Sequence, residues 1–150
     1  MSDIFGANRL DELVRRMSAL TLDSNDLDRL KEFVDEKVYD LLLVGVQNAS
    51  YNNRDLIMER DLPLTRGLRE SMEDFALYEE ELDVEPILEQ LATRPLLERE
   101  PSEKVIDLLP ELFGTLMMVT VQLMSIVDPD VSNPDTETWD RVTETMELLI

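Results

Sequence analysis

The chain has no cysteine and no histidine among its 150 residues. The first absence excludes disulfides and thiolate chemistry. The second removes the commonest general base and the commonest metal ligand. Glycine is scarce, and Gly6, Gly45, Gly67 and Gly114 stand isolated, so no glycine-rich loop can cradle a phosphate. Lysine is scarce as well: of 14 basic residues only Lys31, Lys37 and Lys104 are lysines. Nucleophilic catalysis lacks its usual base, and carboxylate pairs are too common in so acidic a chain to single one out. These absences predict a non-enzymatic protein, with no catalytic residue, no cofactor and no small-molecule substrate.

What is abundant is acid. There are 34 acidic residues against 14 basic ones, a net charge of −20. Such a field repels nucleic acid and anionic membranes unless a local basic patch overrides it. It also keeps a protein dispersed at high ionic strength, so a salt-adapted protein is one expectation. The start, Met-Ser-Asp-Ile-Phe, has neither a basic region nor an apolar run. It does not read as a secretory signal, and a cytoplasmic location is expected.

One stretch organises the chain, from Asp23 to Leu62. Asp23 and Ser24 are good N-cap residues. Leu27, Leu30, Val34, Val38, Leu41 and Leu42 then recur at helical spacing. Between Leu41 and Val46 nearly every position is apolar, which predicts a helix buried on most sides. It should run to about residues 48–51. Leu56-Ile57-Met58 is an extended candidate, and Asp61 before Pro63 reads as the N-cap of the next helix. Arg54 and Asp61 bracket this turn, and a charge-assisted clamp between them is expected.

Before that stretch, residues 8–20 form an amphipathic helix with Leu10, Leu13, Val14, Met17 and Leu20 on one face. After it, a third helix is predicted from Pro63 to about Leu82. The glutamates Glu79-Glu80-Glu81, with Asp83 and Glu85, read as a solvated connector. A short helix opening near Pro86, a loop over 92–101 and a long helix over 102–127 follow. Pro110 should kink that long helix or mark its true start. Asp128-Pro129 stops it, Asn133-Pro134 marks a turn, and the last helix covers Thr136 to Ile150. The fold class is all-α, and short, long, short appears twice in one chain.

Two other readings are weaker. Leu112 to Val127 carries no charge, but it falls short of the roughly 20 residues a membrane span requires, so no membrane is expected. Asp128-x-Asp130-x-Ser132 has the start of a calcium loop, yet Trp139 stands where the bidentate glutamate should be, so no metal is expected.

The second loop is similar to that of histones, whose Arg-x-x-apolar-x-x-x-Asp-apolar pattern is matched by Arg54, Ile57, Asp61 and Leu62. Leu56 stands where histones carry the threonine that helps hold phosphate. The whole layout, from about Arg9 to Ile150, resembles a bacterial and archaeal family of histone-fold doublets, a domain of unknown function. The resemblance rests most on Val38-Tyr39-Asp40-Leu41-Leu42, Tyr51-Asn52-Asn53-Arg54-Asp55-Leu56-Ile57, Asp61-Leu62-Pro63, Leu108-Leu109-Pro110-Glu111-Leu112 and Asn133-Pro134-Asp135-Thr136-Glu137. It implies tandem histone folds, one over 8–82 and a divergent one over 84–150. They would pack over residues 1–150 as an intramolecular pseudodimer whose long helices cross at mid-length.

Histones grip DNA through the first helix and the paired loops. The candidate DNA contacts here are Arg9, Arg15, Arg16, Arg54 and Arg60. All lie in residues 1–75, which hold 10 bases and 16 acids, against 4 and 18 in residues 76–150. The expectation is therefore a protein-interaction or architectural module, self-associating or bound to another protein, with DNA binding weak or absent. A divergent nucleoid-associated DNA binder using its N-terminal half is the alternative.

Overall fold

The computed structural model describes residues 7–150. It is mostly helical, with α1 (Ala7–Met17), α2 (Ser24–Tyr51), α3 (Arg66–Ala76), α4 (Val84–Leu91), α5 (Glu103–Val127) and α6 (Thr136–Leu149). Two short strands, β1 (Leu56–Ile57) and β2 (Glu100–Pro101), complete it with a 3-10 turn at Glu59–Asp61.

Side-chain caps set most helix starts, because the first N–H groups of a helix lack intrahelical partners. The Asp23 carboxylate accepts from the Asp26 N–H at 2.8 Å. Ser102 Oγ accepts from Val105 N, and Asp135 Oδ1 from Thr138 N. Those accepted bonds, from the Thr138 backbone first, hold the Asp135 carboxyl below its ordinary range.

Three boundaries correct the sequence reading. The first helix stops at Met17, where Ser18 Oγ donates to Val14 O and accepts from Leu20 N. The third helix starts at Arg66 rather than Pro63, capped by Thr65, whose Oγ1 accepts from Leu68 N at 3.1 Å. It also ends at Ala76 rather than Leu82, and Glu79 then turns the chain with φ 54°. Asp61 is not the N-cap of α3. Its carboxylate accepts from Met58 N at 2.8 Å and so closes the 3-10 turn. Pro110 lies inside α5 without ending it.

The core is one cluster centred on α5, which meets α1, α2, α3, α4 and α6. Its stretch from Leu112 to Met118 is wholly buried. α5 is long and apolar enough to cross a membrane by length and composition, and those buried residues form the centre of the core instead. Gly114 is needed there, because the Phe75 ring of α3 lies against it. Gly45 of α2 admits Ile57 and Leu62 in the same way, so the second loop folds back onto α2.

Two backbone pairings join distant segments. β1 runs parallel to β2, with Leu56 opposite Glu100 and Ile57 opposite Pro101. Ser102 N extends the ladder by donating to Ile57 O at 2.9 Å. Elsewhere Thr21 N, just before α2, donates to Ser132 O, just after α5, at 2.7 Å. In each pair a segment preceding one long helix meets a segment following the other.

Candidate functional site: the arginines of the first helix and the paired loops

Arg9 and Arg16 lie on one face of α1 and converge on one carboxylate. Arg9 Nη2 donates to Glu80 Oε2 at 3.2 Å and to Glu81 O at 2.7 Å. Arg16 Nη1 donates to Glu80 Oε1 at 2.9 Å, and its Nη2 to Tyr78 O at 2.8 Å. The Arg16 guanidinium also lies 5.7 Å from the Tyr78 ring centre, within cation–π range. In the segment read as a solvated connector, Glu79, Glu81, Asp83 and Glu85 are exposed as expected, while Glu80 turns inward and forms a clasp. Glu80 is only 17% exposed and ties α1 to the end of α3. The turn at Glu79 is what swings it under α1.

The other arginines are held separately. Arg15 pairs with Asp11 one turn away on α1, at 3.2 Å. Arg54 grips Asp61 with two donors, its Nε at 3.3 Å from Oδ2 and its Nη2 on Oδ1. Asp61 is 1% exposed and also receives the Met58 N–H, while Asn48 Nδ2 binds its carbonyl at 2.8 Å. The Arg54 hydrogen bond, followed by that from Met58, outweighs burial and holds the Asp61 carboxyl below its ordinary range. Arg60 is exposed beside this turn, and its charge pulls in the same direction. Arg99, which sequence reasoning passed over, donates from Nε to Arg54 O at 3.1 Å. Arg54 and Arg99 thus meet where β1 joins β2, with Arg60 exposed on the turn that follows β1. The opposite junction, at Thr21 and Ser132, is flanked by Asp23, Asp128 and Asp130.

Two buried charges were also missed, because their partners lie far along the chain. Asp35 of α2 binds Arg94 at 3.0 Å, and Tyr39 beside it donates to Pro95 O at 2.7 Å. Burial pushes the Asp35 carboxyl up, and Arg94 offsets this only in part. Lys37 of α2 is 2% exposed and binds Asp40 at 3.1 Å and Glu147 of α6 at 2.8 Å. Burial alone would lower its pKa, but the bonds to Glu147 and Asp40 carry it above the ordinary lysine value. Carboxylate oxygens of Glu36, Asp40 and Glu147 lie within 4.8 Å of one another, and the ammonium binds two of the three, Asp40 and Glu147.

Residues 10–147 match the family model described as a domain of unknown function, DUF1931. The chain belongs to that family. A crystal structure from Thermus thermophilus superposes with a TM-score of 0.93 at 38% identity, covering 99% of this chain and 100% of the other. One from Aquifex aeolicus gives a TM-score of 0.80 at 23% identity, covering 100% and 99%, and shares the fold. A protein of Aquifex aeolicus strain VF5, described as uncharacterized, is 26% identical over 114 residues, 76% of this chain and 67% of its own length. The stretch matched by the DUF1931 model takes in both long helices and both loop junctions.

Proposed function

We propose that this DUF1931 protein is a single-chain histone-fold pseudodimer, with one fold over 8–82 and the other over 84–150. It acts in the cytoplasm as a non-enzymatic interaction or architectural module with little or no DNA binding. The fold part of this reading is supported by the crossed loop pairings, β1 with β2 and Thr21 with Ser132. The first loop of one histone fold meets the second loop of its partner in the same way. Contact between the two long helices, α2 and α5, points the same way.

One observation carries the functional part. Arg9 and Arg16 sit where a histone's first helix would meet phosphate, and both are bound by Glu80. A guanidinium already paired to a carboxylate releases no further counterion unless that pair breaks, and the phosphate must then displace a tethered anion. Arg15 and Arg54 are paired too. The junction that joins Arg54 to Arg99, with Arg60 exposed on the next turn, is what favours the alternative, a nucleoid-associated DNA binder using its N-terminal half.

Fluorescence anisotropy on duplex DNA across a KCl series tests this. Binding no tighter than about 10⁻⁴ M is expected at physiological salt, with none detectable at molar salt. Submicromolar binding that disappears in the Arg15→Glu, Arg54→Glu double variant would replace this reading with the nucleoid one.

A further inference from the structure

We propose that the groove between α2 and α6 is a docking site for a cationic amphipathic helix of a partner protein. This rests on the interaction-module reading above and gives it a surface and a partner chemistry.

The groove is a depression of about 400 Å³ with Phe33 in its lining. Glu32 and Glu36 stand one turn apart on the α2 side, and Glu144 and Glu147 face them from α6. A second depression of about 730 Å³ shares Glu144 and Glu147 and continues to Val127 and Leu148. Leu148 is 86% exposed, and Val127 from the end of α5 lines the same depression. Acidic walls therefore lead into an apolar end. Single exposed apolar residues are ordinary, whereas a cluster with a charged rim marks an interaction surface.

The charge of the occupant follows from which residues are already paired. The bases of the groove are committed: Arg29, in the lining of the first depression, lies 3.6 Å from Asp140, Arg141, in the lining of the second, lies 2.7 Å from Glu137, and the buried Lys37 serves Asp40 and Glu147. Among the described residues, Glu32, Glu36 and Glu144 have no ion-pair partner. The groove thus presents three unpaired carboxylates around Phe33 and leads to Val127 and Leu148. Nucleic acid is repelled from it, and a second copy of this chain brings another −20 of charge. A helix with lysine or arginine on one face and leucine on the other complements both features at once.

The test uses the full chain and a synthetic leucine–lysine amphipathic peptide of about 14 residues, the length of an average helix. Binding is followed by anisotropy and by amide chemical-shift mapping. Saturable binding is expected, with shifts confined to α2, α6 and the end of α5. The Glu32→Gln, Glu36→Gln, Glu144→Gln triple variant should weaken it about tenfold. Leu148→Ser should weaken it at unchanged net charge. A remote triple, Glu73→Gln, Asp74→Gln, Glu79→Gln, makes the same change in charge and should leave the affinity as it was. Equal loss in both triples, or equal binding of a scrambled-order peptide, would reduce the effect to attraction between polyions and overturn the proposal. So would a concentration-dependent dimer in sedimentation that Leu148→Ser abolishes, because the occupant would then be a second copy. The DNA titration keeps the two readings apart: tight DNA binding sinks the interaction module, whereas an inert groove on a DNA-inert protein sinks only the docking site.

Discussion

The Phe75 ring occupies the space that a β-carbon on Gly114 would need. Two helices far apart in the chain, α3 and α5, are thereby locked face to face. Gly114→Ala should raise intrinsic helix propensity by about 1 kcal/mol and still destabilise the protein, because overpacking a buried contact costs about 1–3 kcal/mol or more. Thermal unfolding of Gly114→Ala alone and with Phe75→Leu checks this. The second change should recover part of the loss. A melting temperature that rises in the single variant would mean the ring moves aside freely.

Asp61→Asn should cost about 3 kcal/mol, since it leaves Arg54 without its counter-charge at a largely buried site. The folded pKa of Asp61 lies below its unfolded value. Its stabilisation is therefore complete above the ordinary aspartate range, near about pH 4, and is lost as pH falls through the folded value. Unfolding in urea from pH 6 downward should show wild type losing stability along this limb. The variant should be lower at pH 6 and flatter below it. Parallel curves would refute the clamp as the source.

Lys37→Met keeps the stem volume and removes the ammonium that binds Asp40 and Glu147. The variant should be destabilised in dilute buffer and should recover at about 1 M KCl, where the Debye length is about 3 Å. Because the folded pKa of Lys37 is raised, wild type should hold this contribution below the ordinary lysine value. It should lose it as pH climbs through the folded one. The same deficit at both salts would assign the effect to packing of the stem.

Glu80→Gln tests the clasp directly. Loosening Arg9 and Arg16 should tighten DNA binding and steepen its salt dependence by about one to two in log–log slope, close to about 0.9 per phosphate contacted. An unchanged slope would show that these arginines never reach phosphate.

Local chemistry was legible in the sequence; long-range pairing was not. Asp23 and the seven-residue spacing of Arg54 and Asp61 could be read directly, because caps and turn clamps use neighbours. The start of α3 was misread because Asp61 before Pro63 has the form of a cap, while its carboxylate is spent on Met58 and Arg54. The true cap, Thr65, also sits three residues before the N–H it serves. Glu80 could not be told from its neighbours Glu79 and Glu81, since only a turn with positive φ selects it. Lys37 finds Glu147 across 110 positions, and no periodicity reports such a pair.

The two loop junctions differ: one is a parallel two-residue ladder beside the Arg54–Asp61 pair and Arg99, the other a hydrogen bond from Thr21 to Ser132. In a dimer of identical chains the two-fold axis forces such junctions to be copies. Here both belong to one polypeptide, so no symmetry makes them equal. The molecule has a front and a back, and anything that binds it can tell which way round it stands.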